Sequence, residues 1–293
     1  MTSRILPEFG YVAPETLEEA TSALVEFGQN VAILAGGTDL LSQMKVGERT
    51  TKVVVDLNRV SGLDYISFDD GVLKIGALAT IRQLERSKTV QSKFPILSEA
   101  ARKHSFVQIR NMATVVGNLC NASPCADMAP PLLVLIAAVK LISTEGERIV
   151  PLDQFFVAPQ QTVMKPDEIM VEVQIKEPQP GTEASFFKIG RVQTDLSKVN
   201  GAVKIVIDRD GTCRDAAIAL GSVAPTPIRI PSAEKELIGA KIHEDVIDKV
   251  SSIVAADISP ITDVRSTEQY RRMVSKVLVR RSLLRIWRGR LRS

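Results

Sequence analysis

The chain has 293 residues, with 37 Lys and Arg against 34 Asp and Glu, for a formal charge of +3. That length favours two domains, or one long one, with room for a real core. Charged residues make up 24% and hydrophobic ones 45%, close to the globular average, which excludes a disordered chain. The longest apolar run, residues 130–139, is roughly half of what spans a bilayer, so no transmembrane segment is expected. The first residues lack an apolar signal stretch, and three cysteines cannot form a fully paired disulfide framework. A soluble protein of a reducing compartment, the cytoplasm, is expected. The charge is unevenly placed. Residues 271–293 hold nine Lys and Arg and no Asp or Glu, so the preceding 270 residues carry 28 basic against 34 acidic groups, a net of −6.

In chain order, Thr16 with Glu19 forms a capping-box pattern, followed by Leu17, Ala20, Leu24 and Phe27 at helical spacing and a stop at Gly28. A short strand at 31–35 breaks at Gly36-Gly37-Thr38-Asp39, and a second helix is expected at 40–45 before a strand at 52–57. Residues 65–77 carry Asp70-Gly71 between apolar alternations, a hairpin signal. Residues 80–103 read as helical, interrupted at Pro95. Residues 104–131 are rich in Asn, Ser, Gly and Pro with little periodicity, which reads as long ordered loops; compact domains rarely carry such loops without a task. Strand-like alternation returns over 151–178, chiefly at 168–175, and Glu177-Pro-Gln-Pro-Gly181 reads as a linker. Beyond it, 185–189, 201–208 and 216–221 read as strands, with a tight turn at 209–211, and helices are expected at about 232–239, 243–257 and 267–288. Strands followed by helices suggest a compact α+β domain.

Two segments carry candidate chemistry. In Ile33-Leu34-Ala35-Gly36-Gly37-Thr38-Asp39-Leu40 a strand runs through a Gly-Gly turn into a helix start. Glycines let the backbone approach a ligand and turn successive N–H groups outward, and the helix start adds a positive dipole end, an arrangement that suits a pyrophosphate. A side chain at Gly37 is expected to fill that cradle. The segment is neither Gly-x-Gly-x-x-Gly nor a Walker loop, and an ordinary strand-to-helix turn capped by Asp39 is the plain alternative. The second segment, 114–130, is dense in small polar residues around one carboxylate, Asp127. It can offer backbone donors and a single acceptor to a heterocycle, or it can be a connection stabilised by Asn, Ser and Pro.

Ala35-Gly-Gly-Thr-Asp-Leu-Leu41, Gln108-Ile-Arg-Asn-Met-Ala-Thr114 with Gly117-Asn118, and Asn121-Ala-Ser-Pro-Cys-Ala-Asp127 stand in one order along the chain. Downstream lie Asp167-Glu-Ile-Met-Val171, Phe187-Lys188 and Ala224-Pro-Thr-Pro-Ile-Arg229. Taken together these resemble the flavin-binding medium subunit of the molybdenum hydroxylases, the group containing xanthine dehydrogenase, carbon monoxide dehydrogenase and nicotinate dehydrogenase. The resemblance runs over nearly the whole chain. It implies an α+β protein: a two-subdomain, PCMH-type FAD-binding domain over 1–177 (subdomains about 1–58 and 59–177), then a C-terminal domain over 182–293 with a three-stranded antiparallel sheet, helices and a basic terminal helix. It places the FAD pyrophosphate on Ile33, Leu34, Ala35, Gly36, Gly37, Thr38, Asp39 and Leu40, continued by Thr114, Gly117 and Asn118. Asp127, Met170 and Lys188 match further FAD contacts, and His104 and Ser105 fall where the family approaches the cofactor. A lysine near the flavin ring suits negative charge on reduced flavin. Where the family often writes Gly-Gly-Asn this chain has Val116, a departure that leaves the role of that position in the second loop open.

The resemblance further implies an oxidoreductase subunit in a dimer of heterotrimers. A [2Fe–2S] small subunit and a molybdenum large subunit carrying molybdopterin would deliver electrons to FAD here, and an external acceptor would take them. No catalytic side chain and no metal ligand is expected on this chain. Cys120 and Cys125 are expected to be buried and metal-free, since too few further ligands are available for zinc or a cluster. A stand-alone FAD oxidase is the alternative enzyme. The different-class alternative is a nucleic-acid or membrane binder that uses the Arg-rich tail, in which Val274, Val277, Leu278, Leu284 and Trp287 can form an apolar stripe. No nucleic-acid motif accompanies that tail, which is expected to pack on its own domain and to invite an acidic partner.

Overall fold

The computed structural model describes residues 5–290. Strands β1 (Gly10–Val12), β2 (Val31–Leu34) and β3 (Val53–Asp56) form a parallel sheet with β3 in the middle. Parallel neighbours need crossovers, which helices α1 (Leu17–Phe27) and α2 (Leu40–Val46) supply. Thr16 Oγ1 accepts from the Glu19 N–H as the capping pattern predicts, while the Glu19 carboxylate accepts from the N–H of Glu15. Ala20 and Leu24 bury the inner face of α1, and Gly28 ends it at φ +56°.

Strands β4 (Ile66–Asp69) and β5 (Val72–Gly76) close on Asp70 and Gly71, both at positive φ, as a two-residue hairpin requires. The expected helical stretch 80–103 is three helices, α3 (Ile81–Arg86), α4 (Lys88–Lys93) and α5 (Pro95–Lys103). Pro95 starts the third, a position where its missing N–H costs nothing.

The long loops expected over 104–131 contain three further helices, α6 (Val107–Arg110), α7 (Val115–Cys120) and α8 (Ala129–Val134). Each is one or two turns, too short to show a period. The Thr114 hydroxyl caps α7, and Pro130 and Pro131 occupy the first turn of α8. Strands β6 (Ala138–Ser143), β7 (Gly146–Pro151), β8 (Phe156–Ala158), β9 (Gln161–Thr162) and β10 (Ile169–Lys176) follow. The order β4-β5-β10-β6-β7 makes an antiparallel five-stranded sheet, and β8 and β9 pair alone. Only the end of the alternation read at 151–178 joins this sheet.

The C-terminal domain contributes β11 (Thr182–Ile189), β12 (Val199–Ile207), β13 (Cys213–Gly221) and β14 (Ile228–Arg229), then α9 (Pro231–Leu237), α10 (Glu244–Asp257) and α11 (Glu268–Arg290). The three expected antiparallel strands are β11–β13, and the two-residue β14 extends them. β12 is buried on both faces. Val203, Ile205 and Ile218 face a core shared with α9–α11, whereas Ala202, Ala217 and Ala219 join the core of the preceding domain, with Leu132 and Leu133 of α8. Alanines on that face let α8 sit close, which brings the loop before α8 against the C-terminal sheet.

The terminal helix is not bare. Val274 and Leu284 are buried, Leu278 and Trp287 half-buried, and Val277 turns to solvent, so the apolar stripe is mostly internal. Arg271 is buried, Arg272 pairs with Glu268, and Arg280 pairs with Asp248 and Glu244. Arg285 lies 4.0 Å from Glu99 and Arg288 3.9 Å from Glu244, leaving Lys276 and Arg281 without ion pairs among the described residues. Part of the cationic helix is thus paired within the chain, while Lys276, Arg281, Arg285 and Arg288 remain exposed; residues 291–293 of that tail lie outside the described residues. No helix among the described residues is long and apolar enough to cross a membrane.

Candidate functional site

A cleft of about 730 Å³ opens where the end of β2, the segment 104–127 and the end of β11 meet. Of the residues singled out by sequence, Ile33, Ala35, Gly36, Gly37, Thr38, Asp39, Leu40, Ser105, Thr114, Gly117, Asn118, Asp127, Met170 and Lys188 all line it. Leu34 does not: its half-buried side chain lies beside Gly37.

The first loop is shaped by two glycines. A Cβ on Gly36 would stand 2.0 Å from the Met112 carbonyl oxygen, so only glycine lets this loop touch the second. Gly37 adopts φ +69°, and a Cβ there would meet Leu34 and Leu41 rather than the cleft. The sequence expectation for a side chain at Gly37 is thus corrected: it strains the turn instead of filling the cradle. Among the described residues no protein acceptor takes the N–H groups of residues 37–40, the orphan donors of a helix start. Asp39, an exposed residue, makes no side-chain cap bond, and its carboxyl is pushed up by partial loss of solvent at the cleft against an opposing pull from His104.

Thr114 organises the second loop. Its Oγ1 accepts from the Gly117 N–H at 2.9 Å, and the Val115 N–H donates to Ala79 O. Asn118 Oδ1 accepts from the Met128 N–H at 3.2 Å, closing the loop on α8. The Val116 side chain is buried in the core while the residue lines the cleft.

At the far end stands a polar cluster. Lys188 Nζ donates to Asp127 Oδ2 at 2.6 Å, His104 Nδ1 lies 3.1 Å from the same oxygen, and Asn200 Nδ2 donates to Asp127 Oδ1 at 2.9 Å. Lys188 also donates to Lys103 O at 3.3 Å. Burial pushes the Asp127 carboxyl up, but His104 and Lys188 outweigh it and hold it below the ordinary carboxylate range. An ionised carboxylate only accepts, so the His104 proton sits on Nδ1.

Sequence reasoning missed several lining residues: Gln43, whose Nε2 donates to Asn121 Oδ1 at 3.1 Å and ties the two loops, and Thr194, Asp195 and Leu196 from the C-terminal domain. Cys120 and Cys125 also face the cleft and are half-buried rather than in the core; burial pushes the Cys120 thiol up to about 12. No cluster of three or more metal-ligating side chains occurs among the described residues.

Residues 7–178 match the family described as the FAD binding domain in molybdopterin dehydrogenase. The chain belongs to that family of FAD-binding subunits. Residues 184–286 match the CO dehydrogenase flavoprotein C-terminal domain. The 6-hydroxypseudooxynicotine dehydrogenase complex subunit alpha of Paenarthrobacter nicotinovorans is 34% identical over 94% of each chain. The carbon monoxide dehydrogenase medium chain of Hydrogenophaga pseudoflava is 30% identical over 97% of this chain and 98% of its own. A solved structure of carbon monoxide dehydrogenase from that organism, lacking the Mo-pyranopterin moiety of the molybdenum cofactor, superposes with a TM-score of 0.94, again at 30% identity and with 97% and 98% coverage. As a member of this family the chain is an FAD-binding oxidoreductase subunit, and the cleft fits the cofactor. Unclaimed N–H donors suit a pyrophosphate, Gly36 keeps the loops in contact, and the buried acid–base cluster suits a polar ring system.

Proposed function

We propose that the cleft holds FAD and that the chain is the electron-transfer subunit of a multi-subunit molybdenum hydroxylase. It would take electrons from a [2Fe–2S] partner and pass them to an external acceptor. The observation that carries the reading is the row of unclaimed N–H groups at residues 37–40 facing the Asp127–Lys188 pair across one cleft. FAD supplies the redox chemistry, collecting electrons singly or in pairs. The chain's own residues bind and orient. The 37–40 amides hold the pyrophosphate, with Ile33, Ala35 and Gly36 as floor. Thr114, Gly117 and Asn118 shape the facing wall, beside Ser105. Asp127 and Lys188 fix charge at the polar end, and Met170, 2% exposed, forms a further part of the wall. Leu34 supports the turn from behind. Binding rather than attack on a substrate is the task of every residue named.

The family membership, the relatives' names as complex subunits or medium chains, and the pairing of most tail charges within the chain support this over a nucleic-acid or membrane binder. We further propose that residues 1–177 and 182–293 are the two domains, joined by the Glu177–Gly181 linker between β10 and β11, with the first domain divided near residue 58. Three free cysteines fit a cytoplasmic enzyme, and a dimer of heterotrimers is the expected assembly. Isolation of the tagged chain from its native cell tests the reading. One FAD per chain with co-purifying iron and molybdenum is expected. Flavin without either metal would point to a stand-alone oxidase, and no flavin would overturn both.

A further inference from the structure

The segment carrying Asp127 is held from outside its own domain. Pro124 O accepts from the Ser222 N–H at 2.7 Å. Asn200 Nδ2, on β12, lies 3.4 Å from both Cys125 O and Ala126 O and 2.9 Å from Asp127 Oδ1. Three acceptors around one end of the amide fix which way it points, because the flipped amide would set its oxygen against a carboxylate and two carbonyls. Asn200 is fully buried, and its Oδ1 has no hydrogen-bond partner among the described residues. Gly221 makes room for that oxygen, since a Cβ there would stand 2.2 Å from it. The strands are backed by Arg271, which donates to Ser222 O at 2.7 Å, Lys198 O at 3.1 Å and Asp263 at 2.7 Å. Ser222 itself is held at φ +66°.

An amide buried with one unsatisfied atom is costly unless its other end does something that packing alone does not require. We infer that Asn200 is a positioning residue for the cofactor: its amide gathers residues 125–127 and so sets where Asp127 stands in the cleft. The inference rests on the FAD reading above, yet Asn200 lies outside the 7–178 match. Its effect reaches the cofactor only through Asp127 and the adjoining backbone.

Asn200→Asp tests it, because the shape is kept while the donor becomes a second carboxylate beside Asp127. Two carboxylates so close repel while both are ionised and take up a shared proton more readily as the pH falls, and once one is protonated its O–H can donate as the amide did. The charged and titratable groups around that point are Asp127 on its loop, His104 after α5, Lys188 on β11, and Arg265 acting on Cys125. The FAD dissociation constant of the full-length chain is read from flavin fluorescence, with wild type measured alongside at each pH. At pH about 8 the variant is expected to bind at least about tenfold more weakly than wild type, the effect of losing a hydrogen bond to a charged group. At pH about 5 the ratio is expected to shrink to within about threefold. A ratio near one at the higher pH, or an equal loss at both, overturns the role of Asn200 while leaving the FAD site standing. Wild type that fails to bind FAD removes the site itself. Should Asn200→Asp not fold, Asn200→Ser serves, since its short hydroxyl cannot span to Asp127. Wild-type affinity in that variant overturns the inference as well.

Discussion

The two loops of the cleft reach similar surfaces by different routes. The first is shaped by its own residues: β2 stops at Leu34, two glycines turn the chain, and α2 begins with its first N–H groups unclaimed. The second is shaped from a distance. Thr114 starts α7 locally, but the carbonyls of 124–126 and the Asp127 carboxylate are taken by Ser222, Asn200 and Lys188 of the next domain. A ligand loop is legible in a sequence only to the extent that its own residues hold it.

The largest expected effect falls on the loop held from outside. Asp127→Ala leaves Lys188, 5% exposed at its side chain, without its counter-ion, and breaking such a buried pair costs about 3–5 kcal/mol. Urea unfolding of variant and wild type at stepped pH checks it. Because the folded Asp127 titrates below its unfolded value, its contribution is complete above the ordinary carboxylate range and is lost as pH falls through the folded value. The difference between the two proteins should hold across neutral pH and fade only in acid. A difference that grew in acid would contradict this.

Gly36→Ala strikes the contact between the loops. The added Cβ meets backbone at Met112, which cannot swing aside as a side chain would, and about 1–3 kcal/mol of overpacking is expected along with weakened FAD binding. Undiminished flavin content would break the claim that the loops touch through glycine. Thr114→Ala removes only a helix cap and should cost about 1 kcal/mol, seen as a lower melting temperature with a smaller loss of FAD. Arg280→Ala should be the mildest. Its partners Asp248 and Glu244 are solvent-exposed, so a small drop in melting temperature at low salt should vanish at high salt. A salt-independent drop would show that the tail charges hold the domain more firmly than surface pairs do.

The same distinction explains what was readable. The Thr16–Glu19 cap, the Asp70-Gly71 hairpin and the Gly36-Gly37 turn are decided within a few residues, and each stands in the structure where the sequence puts it. Helices α6, α7 and α8 are too short for periodicity to register, so the sequence of 104–131 reads as loop. The β6–β7 hairpin carries no Gly-rich dipeptide of the Asp70-Gly71 kind, its turn being Thr144-Glu145. In the cleft, the glycines and Asp127 were legible as chemistry. Gln43, Asn200 and Thr194 were not, because their meaning lies in partners 70 or more residues away or in a neighbouring domain's edge. Arg271 is the converse case: part of a cationic tail by composition, it is a buried clamp on Lys198, just before β12, and Ser222, just after β13.

The central claim is that one FAD is held by backbone donors of the first loop facing a second loop set by the C-terminal sheet. Hydrogen exchange of the full-length chain with and without FAD tests it most directly. The N–H groups of residues 37–40 and of Val116 have no protein acceptor among the described residues, so they should exchange fast alone and slow when FAD is added. Unchanged exchange at 37–40 in a chain that demonstrably binds FAD would contradict the account.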